Sequence, residues 1–311
     1  ELSDVLFGTP KPTRAEANLG VLKEDEVNII AHGHEPTLSE MIVAAAQDPE
    51  LVALAKEKGA TGINVAGMCC TGNEILMRHG VPIAGNFLQQ ELAVITGAVE
   101  AVIVDVQCIM PALADLAGCY HTELISTSPK AKFPGATHIQ FNEEKAFEVA
   151  KAIVRRAVEN YPNRSPDQVT IPDQKTECIV GFSVEAIVEA LGGTLDPLLD
   201  AIKGGAIRGI AGVVGCNNPK VRHDYGHLRL VEDLIANDVL VVNTGCNAIA
   251  CAKAGLMLPE AADRAGEGLR GVCEALGVPP VLHMGSCVDI SRILVACAAI
   301  ANALEVDISD L

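Results

Sequence analysis

The sequence is poor in basic side chains. Lys and Arg number 23 against 40 Asp and Glu, a formal net charge of −17. That excludes a nucleic-acid binder, which needs a basic patch to neutralise phosphates. It also removes any attraction to an anionic membrane surface. No apolar run reaches the ~18 residues that a bilayer span needs, so no membrane span is expected. The opening stretch ELSDVLFG has neither a basic n-region nor an apolar h-region, so no signal peptide is expected. No CxxC pair occurs, which argues against zinc ribbons, thioredoxin-like motifs and bacterial ferredoxin runs, all of which group their ligands locally. There is no GxSxG elbow, no Walker lysine motif and no GxGxxG after the first apolar run. The Gly-rich GGAIRGIAG at 204–212 enters a strand instead of following one, the wrong side for a phosphate cradle.

What is present is apolar and rich in cysteine. Hydrophobic residues make up 49% of 311, enough for two cores at roughly 150 residues per domain. Eleven Cys in a long chain with strong helix and strand signals do not read as a secreted disulfide scaffold. Metal or redox chemistry in a cytoplasmic protein is the better reading. The sequence does not begin with Met and stops at ISDL, so a piece of a longer protein is expected.

After a polar lead-in over 1–25, apolar runs alternate with helical patterns. Strands are expected at Val27–Ala31, Gly62–Ala66, Ile83–Gly85, Ala101–Val106, Leu124–Ser126 and Thr137–Gln140. Helices are expected after Thr37 and Thr71, each read as opening a capping box, after Asp48-Pro49 and Asn86, at Met110–Ala117, and along Glu143–Tyr161. Residues 161–175 hold three Pro and little apolar material, and a boundary falls there: one domain over 1–165, a second over 166–311. Alternation then resumes, with strands at Glu177–Phe182, Ile207–Val214, Val239–Val242 and Pro280–Met284, and a last helix near 289–304. Such alternation implies right-handed crossovers and mostly parallel sheets, an α/β fold with ligands at the strand carboxyl ends.

Six of those strand ends share one local pattern. A run of buried, often β-branched residues ends, usually in a Gly, and a Cys or His follows: His34, Cys70, Cys108, Cys216, Cys246 and Cys287. Successive intervals within each half are 36, 38, 30 and 41 residues, about one βαβ unit each. A polynuclear iron–sulfur or other soft-metal cluster, assembled from distant strand ends, fits this better than packing. Cys69, beside Cys70, is a possible alternative or supporting ligand. Cys119, Cys178, Cys251, Cys273 and Cys297 read as packing residues, the usual state of free Cys. His283, inside an apolar strand, reads as a core imidazole with a partner. His223 and His227 lie in a polar loop and read as exposed or hydrogen-bonding, and His79 as a helix C-terminal residue. His32 reads as a structural neighbour of His34.

At HGHEP, GMCCTGNE, VDVQC, GCNN, TGCNAIA and HMGSCVD the sequence resembles the catalytic subunit of the anaerobic nickel–iron carbon monoxide dehydrogenases, over nearly its whole length. The resemblance implies two Rossmann-like domains with a Ni-Fe-S cluster between them. It implies Cys108, Cys216 and Cys246 as ligands of cubane irons, Cys287 as the nickel thiolate, and His34 and Cys70 as ligands of a unique iron. The implied reaction converts carbon monoxide and water into carbon dioxide, two protons and two electrons. A ferredoxin-like acceptor and a homodimer are implied with it. The 4Fe-4S relay clusters, a supporting His and a catalytic Lys of that family would lie outside these 311 residues. Two other readings remain: a hybrid-cluster protein reducing hydroxylamine-like substrates, and a non-catalytic iron–sulfur carrier or sensor.

Overall fold

In the computed structural model, which describes residues 2–310, strands and helices alternate along an α/β chain. Two compact units form. The N-terminal unit comprises Glu16–Leu76 and Val81–Lys175; the C-terminal unit comprises residues 2–15, Met77–Gly80 and residues 176–310. The strands are β1 (Thr13–Ala17), β2 (Val27–His32), β3 (Ile63–Met68), β4 (Ile83–Gly85), β5 (Val99–Val104), β6 (Glu123–Ser126), β7 (Thr137–His138), β8 (Thr176–Val180), β9 (Gly209–Val213), β10 (Val239–Asn243) and β11 (Val281–His283).

In the N-terminal unit the strand order is β7-β6-β5-β2-β3-β4-β1, and the paired neighbours are parallel. Every residue of β2 and β5 is buried. Burial on both faces explains why these strands read as continuous apolar runs without alternation. The pleat sends Val27, Ile29 and Ala31 to one face. There they pack with Leu38 and Ile42 of helix Pro36–Ala46 and with Ile153, Val154 and Ala157 of helix Ala146–Asn160. Truncating one of these buried Ile or Leu side chains to Ala costs about 2–5 kcal/mol.

The amino end of this sheet is closed by charge. Glu100, the second residue of β5, is fully buried. Its carboxylate accepts from Arg164 Nε and Nη2 at 2.8 Å each, from the Asn28 backbone N–H at 2.6 Å, and meets His121 Nε2 at 2.8 Å. Arg164 also donates to the carbonyls of Glu26 and Ala98 at 2.8 and 2.9 Å.

In the C-terminal unit the order is β11-β10-β9, again parallel. Beside it, β8 and the turn after it bond Ile179 N–H to Met257 O at 2.9 Å and Phe182 N–H to His283 O at 2.8 Å. The stretch Cys287–Leu304 is long and apolar enough to cross a bilayer by length and composition, with mean hydropathy 1.7. Asp289 and Arg292 interrupt its apolar residues. Arg292 is 3% exposed and donates to Met284 O at 2.6 Å and to the Asp4 carboxylate at 2.8 Å. It also lies 3.3 Å from the Asp289 carboxylate, so the charge is paired inside this unit.

Several local expectations are corrected. The lead-in over 1–25 is structured: helix Leu2–Phe7, strand β1 and a 3-10 turn at Leu19–Val21. Asp4 is tied to Arg78 at 2.7 Å and to Arg292, partners distant in sequence and invisible to local pattern. Thr37 and Thr71 do not cap. Their helices begin earlier, at Pro36 and Cys69. The helix expected at Met110–Ala117 is only Leu113–Ala117, because the chain before it is held in a turn that presents Cys108.

Candidate metal centre

The three candidate ligands of the N-terminal unit follow three adjacent strands, β5, β2 and β3. His34 lies two residues past β2, and the Cys69–Cys70 pair follows β3 directly. Cys108 lies four residues past β5. Gly67 and Gly72 let helix Cys69–His79 start at once: a Cβ on Gly67 would stand 2.3 Å from Gly72 Cα. Cys69 itself has φ 61°, and Gln107 and Cys108 have φ 60° and 55°. Non-Gly residues in this left-handed region cost about 1–2 kcal/mol each. At Cys108 the geometry is held by its own carbonyl, which accepts from Gln90 Nε2 at 3.2 Å and meets His32 Nε2 at 2.9 Å.

These turns bring His34, Cys69 and Cys108 together. Their ligand atoms lie within 4.8 Å of one another, and His34 Nε2 stands 3.9 Å from Cys108 Sγ. Cys70 is also in hydrogen-bond contact with the His34 ring. His34 Nδ1–H donates to Val106 O at 3.2 Å, which aims Nε2 at the sulfurs. Burial alone would lower the His34 pKa. The hydrogen bonds and charges of the Cys108 and Cys70 thiolates outweigh it and raise the value to about 11. Two thiols and an imidazole that converge in this way form a donor set suited to a soft metal. None of the eleven cysteines is in a disulfide.

The three candidates of the C-terminal unit follow β9, β10 and β11, again adjacent strands. Cys216 is exposed, Cys246 is buried as the second residue of helix Gly245–Lys253, and half-buried Cys287 opens a 3-10 turn. That turn carries a capping box: Ser286 N–H donates to Asp289 Oδ2 at 2.7 Å, and Val288 N–H to Ser286 Oγ at 3.2 Å. Among the described residues, the only group of three or more within 4.8 Å is His34, Cys69 and Cys108. Cys216, Cys246 and Cys287 share a sheet edge without meeting that distance as a trio. Ligands of separate atoms in a polynuclear cluster have no need to approach one another.

The remaining Cys and His are placed as follows. Cys178, Cys251, Cys273 and Cys297 are buried. Burial pushes the Cys251 and Cys273 thiols up to about 12, so both stay protonated and inert. Cys119, read as packing, is instead exposed at the end of its short helix, its Sγ 3.7 Å from Asp115 O. His283 is fully buried. Burial pushes its pKa down to about 3, and its Nδ1 accepts weakly from Gly181 N–H at 3.4 Å. His223 meets Asp224 at 3.2 Å, and Lys253 Nζ stands 2.6 Å from the same carboxylate.

Pattern reading missed Asp105. It is 2% exposed and directly follows β5. Its carboxylate accepts from His34 N–H at 2.6 Å, Glu35 N–H at 3.1 Å, the Thr71 hydroxyl at 3.0 Å and the Val106 N–H. The available signal was an acidic residue at the end of AVIV, where the run should stay apolar.

The whole chain, residues 1–311, matches the Prismane/CO dehydrogenase family model. It is 71% identical over 311 residues to carbon monoxide dehydrogenase 1 of Methanosarcina mazei, covering 100% of this chain and 50% of that one. It is 50% identical to carbon monoxide dehydrogenase of Rhodospirillum rubrum, covering 51% of it. Among solved structures, the Ni-free carbon monoxide dehydrogenase of Thermococcus sp. AM4 superposes with TM-score 0.98 at 66% identity, covering 100% of this chain and 49% of that one. Carbon monoxide dehydrogenase IV of Carboxydothermus hydrogenoformans gives 0.97 at 57%, covering 100% and 51%. The chain thus spans about half the length of the relatives it matches. With a parallel α/β fold, thiols and an imidazole at its strand ends, and a match from first residue to last, the chain belongs to the Prismane/CO dehydrogenase family.

Proposed function

We propose that this chain supplies the ligands of a Ni-Fe-S cluster that interconverts carbon monoxide and water with carbon dioxide, two protons and two electrons. The observation that carries the reading is the convergence of His34, Cys69 and Cys108, with Cys70 against the same ring, in a chain 71% identical to a carbon monoxide dehydrogenase. Cys108, Cys216 and Cys246 would hold cubane irons, Cys287 nickel, and His34 with Cys70 the unique iron. Cys69 lies within 4.8 Å of both His34 and Cys108, so it is the alternative to Cys70 at that iron. When bound, the cluster supplies a soft site for carbon monoxide, acidifies water and stores two electrons.

The chain's own residues do the rest. Val106 O fixes the His34 ring so that Nε2 remains available as a ligand. Cys69, Cys70 and Cys246 are each 1% exposed, which keeps water from their sulfurs. Strained turns at Cys69 and Cys108 set their thiols before any metal arrives, so ordering costs little on binding. The reading includes a ferredoxin-like electron acceptor, further 4Fe-4S relay clusters outside these residues, a homodimer and a cytoplasmic location.

The test is viologen reduction under carbon monoxide by the holoenzyme containing this chain, beside its Cys287→Ala variant, with metal analysis of both. The expected result is loss of turnover in the variant together with loss of nickel, while most iron stays. Unchanged activity in Cys287→Ala would overturn the nickel assignment. Active protein holding iron and sulfide without nickel would favour the hybrid-cluster reading, and bound iron without turnover a carrier or sensor.

A further inference from the structure

We infer that Asp105 is a positioning residue: one carboxylate that holds the three strand ends carrying His34, Cys69–Cys70 and Cys108 in register for metal. The inference rests on reading those residues as ligands. Each of the three strand ends donates to this carboxylate. Towards β2, Asp105 Oδ1 accepts from His34 N–H at 2.6 Å and Oδ2 from Glu35 N–H at 3.1 Å. Towards β3, Oδ2 accepts from the Thr71 hydroxyl at 3.0 Å, one residue after Cys70. Thr71 closes the triangle: its Oγ1 accepts from Glu35 N–H at 3.1 Å, and its own N–H donates to Gly33 O at 2.7 Å. Towards β5, the same carboxylate accepts from Val106 N–H, next to the carbonyl that binds the His34 ring.

The fit leaves no slack. Gly33 has φ 135°, and a Cβ there would lie 1.8 Å from Asp105 Oδ1. Four donors meet the carboxylate, three backbone N–H groups and one hydroxyl. Buried charges are usually paired with an opposite charge or a metal. This one instead spends its lone pairs on the backbone beside His34 and on the hydroxyl beside Cys70. Partners that orient metal ligands in this way typically contribute about 10–100-fold in metal affinity.

The test measures iron retention against a graded chelator, and the visible absorption of the bound cluster, in the holoenzyme. Asp105→Asn replaces one acceptor oxygen by a donor facing Glu35 N–H or His34 N–H. Thr71→Val deletes the hydroxyl link, and Thr71→Ser restores it. Expected are wild-type circular dichroism, iron lost to about 10–100-fold less chelator in Asp105→Asn, a smaller loss in Thr71→Val, and recovery in Thr71→Ser. Should Asp105→Asn not fold, the Thr71 pair decides alone. His34→Ala and Cys108→Ala separate the two readings. If they lose iron while Asp105→Asn and Thr71→Val retain it with unchanged spectra, the positioning role is wrong. If they too retain it, the ligand assignment itself is wrong.

Discussion

Strand β5 carries a buried carboxylate at each end, and the two are treated differently. Glu100, at the amino end, is met by a guanidinium and an imidazole. Asp105, one residue past the carboxyl end, is met by three backbone N–H groups and a hydroxyl. Burial raises the Asp105 pKa above the ordinary carboxylate value, while its donors pull it back. The contrast follows from the parallel sheet. Loops at the carboxyl ends diverge and carry ligands, so a side chain there must organise backbone. The candidate ligands all follow carboxyl ends, and at the amino end an ion pair that ties neighbouring segments together suffices.

The largest predicted effect breaks the amino end. Arg164→Met removes the guanidinium and leaves buried Glu100 to the His121 imidazole and the Asn28 N–H, a loss of about 3–5 kcal/mol. Urea unfolding of the metal-free protein measures it, and iron affinity should be unchanged once the variant is folded. A variant that unfolds like wild type but loses iron would reverse the roles assigned to the two ends. Asp105→Asn should show the opposite signature, so the pair of variants tests the comparison from both sides.

The sequence already carried much of this. β2, β3, β5, β9, β10 and β11 were legible as apolar runs, and His34, Cys108, Cys216, Cys246 and Cys287 each follow one of them, because burial on both faces leaves a strong local signal. What depended on distant partners was not legible. Thr71 reads as a helix cap until Asp105, 34 residues on, claims its hydroxyl. Asp4 reads as part of a polar lead-in until Arg78 and Arg292 fold onto it. Cys69 and Cys70 cannot be ranked from spacing, since φ 61° at Cys69 turns its thiol where no regular strand or helix would.

The second sheet sharpens the comparison with a neutral group. His283, the last residue of β11, is buried where Asp105 follows the end of β5, and it carries no charge at neutral pH. The unfolded chain takes up a proton near the ordinary value of 6.5; burial delays that in the folded chain to about pH 3. Stability from His283 is therefore complete above pH 6.5 and falls as pH drops towards 3. At pH 5 the loss is about 2 kcal/mol. Chemical denaturation of wild type and His283→Gln between pH 5 and 7 should show that slope only in wild type. Parallel slopes would mean that the imidazole is protonated in the folded state.

The smallest predicted effect concerns a thiol that lies away from any strand end. Cys119 has the same sulfur as Cys108, eleven residues earlier, yet it follows a helix, is exposed and lies 3.7 Å from Asp115 O. If position at a strand carboxyl end is what makes a Cys in this chain a ligand, chemistry alone confers nothing on Cys119. Cys119→Ser should change stability by less than about 0.5 kcal/mol, as surface substitutions do, and leave iron and nickel content as in wild type. Metal analysis of the purified variant checks it. Loss of metal there would show that free thiols contribute wherever they stand, and the distinction between strand-end and other cysteines would have to be abandoned.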